Sequence, residues 1–328
     1  MPLHRLPPEI LLYILRLLGS AFFRQDARRL TVSKRWFQHA RPVLLQDLDF
    51  SAQSLGRFVL ACTEEGMTLF HAKSRQDGDT ESSRFDIRVI ESWTAELNEC
   101  MAALASMLQK CTGLRLLKLE ARPELHDSLV GMQRRDYLLA SPLASLLSIS
   151  CLTCLEIDTA GTNLIGQIHT PRTHICVIIR EKLPNLRRLR YRSSSICPSI
   201  LDASENKSLL TLEDVLINLS LSEMSSPDTS HRYPSRCGYT PGASFPRLRE
   251  DMESRATELV RMIRTPRIVR ILSPTFPALS MHSFDALKGR RMHLPSAAPW
   301  DADGEEVKEM AVVQDPFDPD SSSEEFVL

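Results

Sequence analysis

The chain has 328 residues, of which 43% are hydrophobic, so it is long enough to bury a sizeable core in one elongated domain or in two domains. Its formal net charge of −1 gives no overall bias toward nucleic acid or a membrane surface. Only 12 glycines and 5 tyrosines argue against an all-β barrel and against a glycine-rich nucleotide-binding fold. Charge is instead segregated, with basic stretches at 1–45, 180–192 and 247–270 and an acidic stretch at 301–328.

The first predicted element is an unusually apolar helix. Pro7 and Pro8 can begin it, because the first helical turn does not need a proline N–H. The stripe that follows at helical spacing consists of Ile10, Leu11, Ile14, Leu15 and Leu18. A helix that is apolar nearly all round must be buried nearly all round. We therefore expect one side to pack in a local bundle and another to pack on the rest of the chain or on a partner.

Two shorter helices are predicted to complete this bundle. Asp26 is a suitable N-cap for a short helix over residues 27–30, and Ser33 can cap the next one. In that last helix Trp36, Phe37 and Ala40 recur at helical spacing, and Pro42 is expected to end it.

Three separated elements in these residues resemble the F-box family. They are Leu6-Pro-x-Glu-Ile-Leu, then Ile14-Leu15-x-x-Leu18, then Leu30-x-Val32-Ser33-Lys34-Arg35-Trp36-Phe37. The resemblance covers residues 4–48, and the connector 19–25 departs from the family pattern.

The F-box resemblance implies that this module binds the Skp-type adaptor of an SCF-type cullin ubiquitin ligase. The residues that it assigns to the adaptor contact are Leu6, Pro7, Ile10, Leu11, Ile14, Leu15, Leu18, Val32 and Trp36. The alternative is an ordinary three-helix cap on a larger domain.

The next elements are less regular. Residues 43–50 are predicted to form a short strand, residues 52–62 a helix and the polar residues 71–84 an exposed loop. The alternation over 85–90 predicts a strand, and the apolar spacing over 94–111 predicts a helix.

A strand pattern then recurs four times. Leu114-x-x-Leu117-x-Leu119 is followed by related patterns at 152–157, 186–191 and 212–217, at intervals of 38, 34 and 26 residues. The pattern resembles the strand core of a leucine-rich repeat, in degenerate form because regular repeats span about 20 to 29 residues. One strand of this kind cannot bury its apolar side chains alone, and a stack of such strands buries them between neighbouring units. The alternative is four unrelated amphipathic strands in an α/β domain.

Helices are predicted between these strands, at 135–147, 171–183 and 197–210. Alternation of strands and helices predicts a parallel sheet with right-handed crossovers. We expect a long flexible loop at 220–245, followed by a helix at 250–263.

The last ordered elements are expected to be a strand at 267–272 and a hairpin at 280–294 that turns at Lys288-Gly289. Residues 295–328 are rich in Asp, Glu, Pro and Ser and are predicted to be a disordered acidic tail.

The eight cysteines are irregularly spaced, which favours reduced thiols in a cytoplasmic or nuclear protein. Cys151 and Cys154 form a lone Cys-x-x-Cys pair, which His169, His174 and Cys176 could complete as a zinc site on paper. Because the pair flanks a predicted repeat strand, we interpret these side chains as buried free thiols. We expect no metal and no cofactor.

Arg188, Arg190 and Arg192 alternate with Leu189 and Tyr191, so they would share one face of a strand. Arginine suits bidentate binding of carboxylate or phosphate, which makes this face a candidate for binding an acidic or phosphorylated segment of a substrate. The alternative is a solvated strand face that the acidic tail neutralises.

No glycine-rich phosphate loop and no Gly-x-Ser-x-Gly motif occurs in the sequence, so we do not expect an enzyme. The sequence predicts an α/β protein with an F-box at 1–48, a leucine-rich-repeat-like binding region at 49–294 and a tail at 295–328. The function it indicates is substrate recognition in a cullin ligase complex, with a protein target that the sequence does not identify. The alternative function is a non-catalytic scaffold that binds the adaptor or another helical partner without driving degradation.

Overall fold

The residues that the computed structural model describes make up most of the chain. They are 6–50, 87–109, 111–121, 138–162, 164, 174–203, 208–221, 233–237, 244–275, 280–295 and 298–306. The predicted helix at 52–62, the predicted loop at 71–84 and most of the predicted loop at 220–245 lie outside them.

The fold is mixed α/β, with a large and mostly parallel sheet. The helices are α1 (Pro8–Gln25), α2 (Lys34–Leu44), α3 (Ile87–Leu108), α4 (Ala140–Leu147), α5 (Ile175–Lys182) and α6 (Phe245–Val260). Short 3-10 turns cover Ala27–Leu30, Leu183–Asn185 and Pro198–Leu201. The first strands are β1 (Asp47–Phe50), β2 (Leu116–Glu120), β3 (Cys154–Thr159), β4 (Arg188–Ser193) and β5 (Ser195–Ile196). The later strands are β6 (Asp214–Asn218), β7 (Ser235–Arg236), β8 (Ile268–Pro274), β9 (Met281–Asp285), β10 (Arg290–Leu294) and β11 (Glu305–Glu306).

The main sheet follows the order of the chain. Its nine strands run β1-β2-β3-β4-β6-β8-β9-β10-β11, parallel from β1 to β8 and antiparallel from β8 onward. β5 and β7 pair separately as a short parallel ladder. Every parallel crossover therefore moves the chain one strand along in the same direction.

The recurring leucine pattern lies in register across the sheet, as predicted. Leu117 pairs with Leu155, Leu155 with Leu189, and Leu189 with Val215. These side chains are buried in a core that they share with the inner sides of α3, α4, α5 and α6. Because alternate residues of a strand point to opposite faces, the helices cover one face and the charged residues of the same strands form the other. We call this second face the polar face.

The N-terminal bundle forms as its capping residues predict. α1 begins at Pro8, the Asp26 side chain accepts a hydrogen bond from the backbone N–H of Arg28, and the Ser33 side chain accepts one from Trp36. Two details differ from expectation. The connector 19–25 continues α1 beyond a kink at Gly19, and Pro42 lies inside α2 instead of ending it.

Two predictions in the middle of the chain are wrong. Residues 87–90 begin α3 instead of forming a strand, because six alternating residues are a weak signal and extending the adjoining helix costs little once it has formed. The helix expected at 197–210 is only the 3-10 turn Pro198–Leu201 in the described residues, since the backbone is extended at Cys197 and again at Asp202.

Most of the remaining predicted elements are confirmed, with shifted ends. The strand at 43–50 is shorter, as β1. The helices at 135–147, 171–183 and 250–263 correspond to α4, α5 and α6. The strand at 267–272 is β8, and the hairpin at 280–294 turns at Gly289, whose φ of +66° suits glycine.

The prediction of a disordered tail from residue 295 needs correction. Residues 298–306, which we call the strap, lie against the polar face and end in β11, which pairs with β10. Trp300 and Ala302 pack on the buried side chains of Leu216, Leu272 and Leu294, so apolar contacts hold this acidic segment. Residues 307–328 lie outside the described part of the chain.

Within the described residues, none of the helices combines the length and the apolar character that crossing a bilayer requires.

Candidate functional site

One side of α1 presents large apolar side chains to solvent. Ile10 is 48% exposed, Tyr13 62% and Leu17 70%, and their spacing of three and four residues places them on one stripe of the helix. We call these three residues the docking stripe. Exposed apolar side chains in a contiguous group commonly mark a site of protein interaction.

The residues that the F-box resemblance assigns to adaptor binding divide into three groups by their exposure. Pro7, Ile10, Leu18 and Val32 are exposed, and Leu6, Ile14 and Trp36 are half-buried. Leu11 and Leu15 are buried with Phe23, Ala40 and Val43 in the bundle core, so they support the surface without forming it. Tyr13 and Leu17 were left out of the predicted contact residues, although the helical period places them beside Ile10.

Trp36 stabilises the packing of the bundle. Its indole N–H donates to the backbone oxygen of Arg29 at 2.6 Å, and its ring meets that of Phe23 with 6.4 Å between centroids. The short 27–30 turn is thereby attached to α2, which fixes the position of the exposed Val32 that follows it.

The bundle is joined to the sheet through Asp47 at the start of β1. The Ser20 hydroxyl donates to the Asp47 carboxylate, and Arg24 donates to the Asp47 backbone oxygen at 3.1 Å and to the Ser20 hydroxyl at 2.7 Å. These contacts use the part of α1 beyond the Gly19 kink. The docking stripe, on the part before the kink, takes no part in them.

The predicted sharing of one face by Arg188, Arg190 and Arg192 is confirmed in geometry. Leu189 and Tyr191 are buried on the helix side, and the three arginines lie on the polar face. The neighbouring strands place carboxylates beside them, because the register pairs β4 with Glu156 and Asp158 on one side and with Asp214 on the other.

Each arginine therefore has a partner in the folded chain. Arg188 lies 3.3 Å from Asp214 and 3.6 Å from Glu156, and Arg192 donates two hydrogen bonds to Asp158. Arg192 is also almost fully buried. The face is thus a ladder of alternating charges and not a free basic patch. In the alternative interpretation the acidic tail neutralises these arginines, but carboxylates of β3 and β6 also pair with them.

The strap adds acidic and aromatic contacts to the same face. Arg190 donates to Asp301 at 2.7 Å, and the Arg192 guanidinium lies 5.2 Å from the Trp300 ring centroid. Arg270 on β8 donates to the backbone oxygens of Asp301 and Ala302, at 3.0 Å and 2.7 Å.

Arg190 and Arg270 lower the pKa values of two strap carboxylates. At Asp301, partial burial favours the neutral form, but the hydrogen bond and charge of Arg190 outweigh it and lower the pKa. The pKa of Asp303 is lowered by its hydrogen bond to Arg270 and by the charge of that residue. Both groups are therefore anionic at neutral pH and hold the strap electrostatically.

The cysteines are grouped differently from the zinc site that the sequence allowed. His174 and Cys176 lie with Cys197 and Cys237, and the Cys151–Cys154 pair is not part of that group. His169 lies outside the described residues. The spacing gave no signal for this grouping, because Cys197 and Cys237 are brought together only by the pairing of β5 with β7.

No protein-family model, no curated protein and no solved structure matches the chain.

Proposed function

We propose that this protein is the substrate-recognition subunit of an SCF-type cullin ubiquitin ligase. The N-terminal bundle docks on the Skp-type adaptor, and the sheet region, a degenerate leucine-rich-repeat-like solenoid, holds a protein target. The observation that carries the proposal is the docking stripe, which remains exposed although the rest of the bundle is packed. This proposed function requires no catalysis by the chain itself, which is also what the sequence predicts.

The docking half of the proposal is supported by sequence and geometry together. The stripe lies in the segment that resembles the F-box, and its side chains are free of the contacts that join the bundle to the sheet. A few anchor residues supply most of the binding energy at protein interfaces, and tyrosine, here Tyr13, is enriched among them.

The target half of the proposal assigns binding to the polar face. The parallel strands β2, β3 and β4 carry alternating Lys118, Glu156 and Arg190 in one row, which suits recognition of a partner with mixed or acidic charge. The hydrogen bond that Arg190 donates to Asp301 of the strap supports this assignment, because it is a contact of the face with an acidic segment.

A cellular experiment separates the ligase function from a scaffold that does not drive degradation. The endogenous chain is replaced by an Ile10→Asp/Leu17→Asp variant, and protein half-lives are measured across the proteome. We expect a small set of proteins to turn over more slowly, and the same proteins to co-purify with the wild-type chain.

The matched control is Leu209→Asp, which changes another exposed leucine, 56% accessible, far along the chain from the bundle. This variant should leave every half-life unchanged. If the double variant changes no half-life although it no longer binds the adaptor, the degradative function is wrong and the scaffold is favoured.

A further inference from the structure

Four potential metal ligands converge on the helix side of the fold, apart from both proposed binding surfaces. They are His174 at the N-terminus of α5, Cys176 in its first turn, Cys197 directly after β5 and Cys237 directly after β7. Their ligand atoms all lie within 4.8 Å of one another. We propose that these four residues form a structural zinc site.

The topology explains how residues so distant in sequence meet. β5 and β7 pair in parallel with Ile196 opposite Arg236, so the next residue of each strand, Cys197 or Cys237, emerges at the same end of the ladder. The backbone N–H of Cys237 donates to the Ile196 oxygen at 3.3 Å and extends this alignment. α5 then brings His174 and Cys176 to the same point.

Two of the separations are near those of a tetrahedral zinc site, and the others are at most 4.8 Å. With Zn–S bonds of about 2.3 Å and a Zn–N bond of about 2.0 Å, two sulfurs lie ~3.8 Å apart and a sulfur and a nitrogen ~3.5 Å apart. The Cys176 and Cys237 sulfurs are 3.7 Å apart, and the Cys197 sulfur is 3.1 Å from His174 Nε2. All four cysteine and histidine side chains can therefore reach one ion with small adjustments.

Hydroxyl groups lie beside two of the sulfurs in the cluster. The Ser195 hydroxyl donates to the Cys237 sulfur at 3.5 Å, and the Ser199 hydroxyl lies 2.9 Å from the Cys197 sulfur. Such outer hydrogen bonds orient and stabilise metal ligands. A cavity of about 590 Å³ borders the cluster and gives an ion a path of entry. The carboxylates of Asp202, Asp251 and Glu258 line it together with Arg236 and Arg255, which pair with Asp251 and Glu258.

Zinc is the metal that this ligand set selects. Soft thiolates with one imidazole favour zinc over magnesium or calcium, and four protein ligands close the coordination shell, as in structural sites. The ion would join α5, the Pro198–Leu201 turn and the two-residue strand β7.

The first test is made on the full-length wild-type chain, purified with a phosphine reductant and without chelator. Elemental analysis should find about one zinc ion per chain, and X-ray absorption should show three sulfur neighbours and one nitrogen. If the purified chain holds no zinc, the apoprotein is titrated with Zn²⁺ and Co²⁺ alone. Failure to bind either ion overturns the proposal, as does a disulfide among the four residues in anaerobically isolated protein.

Variants then assign the ligands. Cys197→Ser and Cys237→Ser should each weaken zinc binding by more than about 100-fold, the upper end of the loss seen on removing an outer-shell partner. Cys154→Ser, a half-buried cysteine outside the cluster, is the matched control and should keep its zinc. Full zinc retention in both cluster variants would overturn the assignment. If the variants do not fold, the X-ray absorption spectrum of the wild-type chain, in which three sulfur neighbours and one nitrogen are expected, is the test of the ligand set.

Discussion

Asp301 of the strap accepts a hydrogen bond from Arg190 on β4, 111 residues earlier in the chain, at 2.7 Å. This contact joins the end of the described chain to the middle of the sheet. It places an acidic segment of the protein on the arginine row that we propose as part of the target-binding face. The polar face of the free chain is therefore partly covered by its own residues.

The attachment of the strap should depend on pH through its carboxylates. The pKa values of Asp301 and Asp303 are lower in the folded chain than in the unfolded one, so their stabilising contribution is present above the usual Asp pKa of about 3.9 and is lost as the pH falls through the lowered values. The resonance of Trp300 in 5-fluorotryptophan-labelled protein should be constant from about pH 7 to pH 5 and shift toward its free position below about pH 4.

The matching variant is Asp301→Asn/Asp303→Asn, measured at neutral pH. It removes both charges while it keeps the shape of the side chains, so the Trp300 resonance should already have moved toward its free position. An unchanged resonance would mean that apolar packing and hydrogen bonds to the strap backbone hold the strap without these two charges.

Arg192 is expected to be important for stability. It donates two hydrogen bonds to Asp158, and both side chains are largely buried. Arg192→Met would leave the Asp158 carboxylate buried without its charge partner, which costs about 3–5 kcal/mol of unfolding free energy. Urea denaturation followed by circular dichroism measures this change.

Arg187→Met is the matched control, because Arg187 also pairs with a carboxylate, Glu213, but its side chain is mostly exposed. The denaturation midpoint of this variant should hardly move, since solvent screens such a pair. Equal losses in the two variants would contradict the distinction between the buried and the exposed pair.

Gly19 should be intolerant of substitution. It sits at the kink of α1 with φ +73° and ψ 171°, a conformation that is essentially restricted to glycine. An added Cβ would meet no other atom within 4 Å, so the cost of Gly19→Ala is the backbone strain alone, about 1–3 kcal/mol.

Gly113→Ala provides the comparison in a thermal melt. Its added Cβ would also meet nothing within 4 Å, but its φ is not positive, so alanine should be neutral or slightly stabilising there. If Gly19→Ala melts at the wild-type temperature, the kink does not need glycine.

Local patterns predicted much of this architecture. β2, β3, β4 and β6 were predictable because burial of Leu117, Leu155, Leu189 and Val215 on one face imposes a period of two on each strand. The start of the first helix was predictable because the preference of proline for the first helical turn depends only on the local backbone.

Contacts between distant residues could not be predicted in the same way. The composition of the strap suggested disorder, and only the three-dimensional position of Arg190, Arg270 and Arg290 gives its carboxylates a partner. For a related reason the sequence did not indicate that Cys197 and Cys237 join His174 and Cys176 in the proposed zinc site. Its cysteines carry no regular spacing, and a two-residue ladder leaves no recognisable pattern in the sequence.

The docking of the N-terminal bundle on the Skp-type adaptor is tested most directly by calorimetry with the purified adaptor and the full chain. We predict that wild type and Leu209→Asp bind with the same affinity, and that Ile10→Asp/Leu17→Asp binds at least about 100-fold more weakly, since unpaired charges at an apolar contact cost several kcal/mol. Circular dichroism should show all three to be folded. Equal affinity of the double variant and wild type, or no binding by the wild-type chain, would contradict the proposed function.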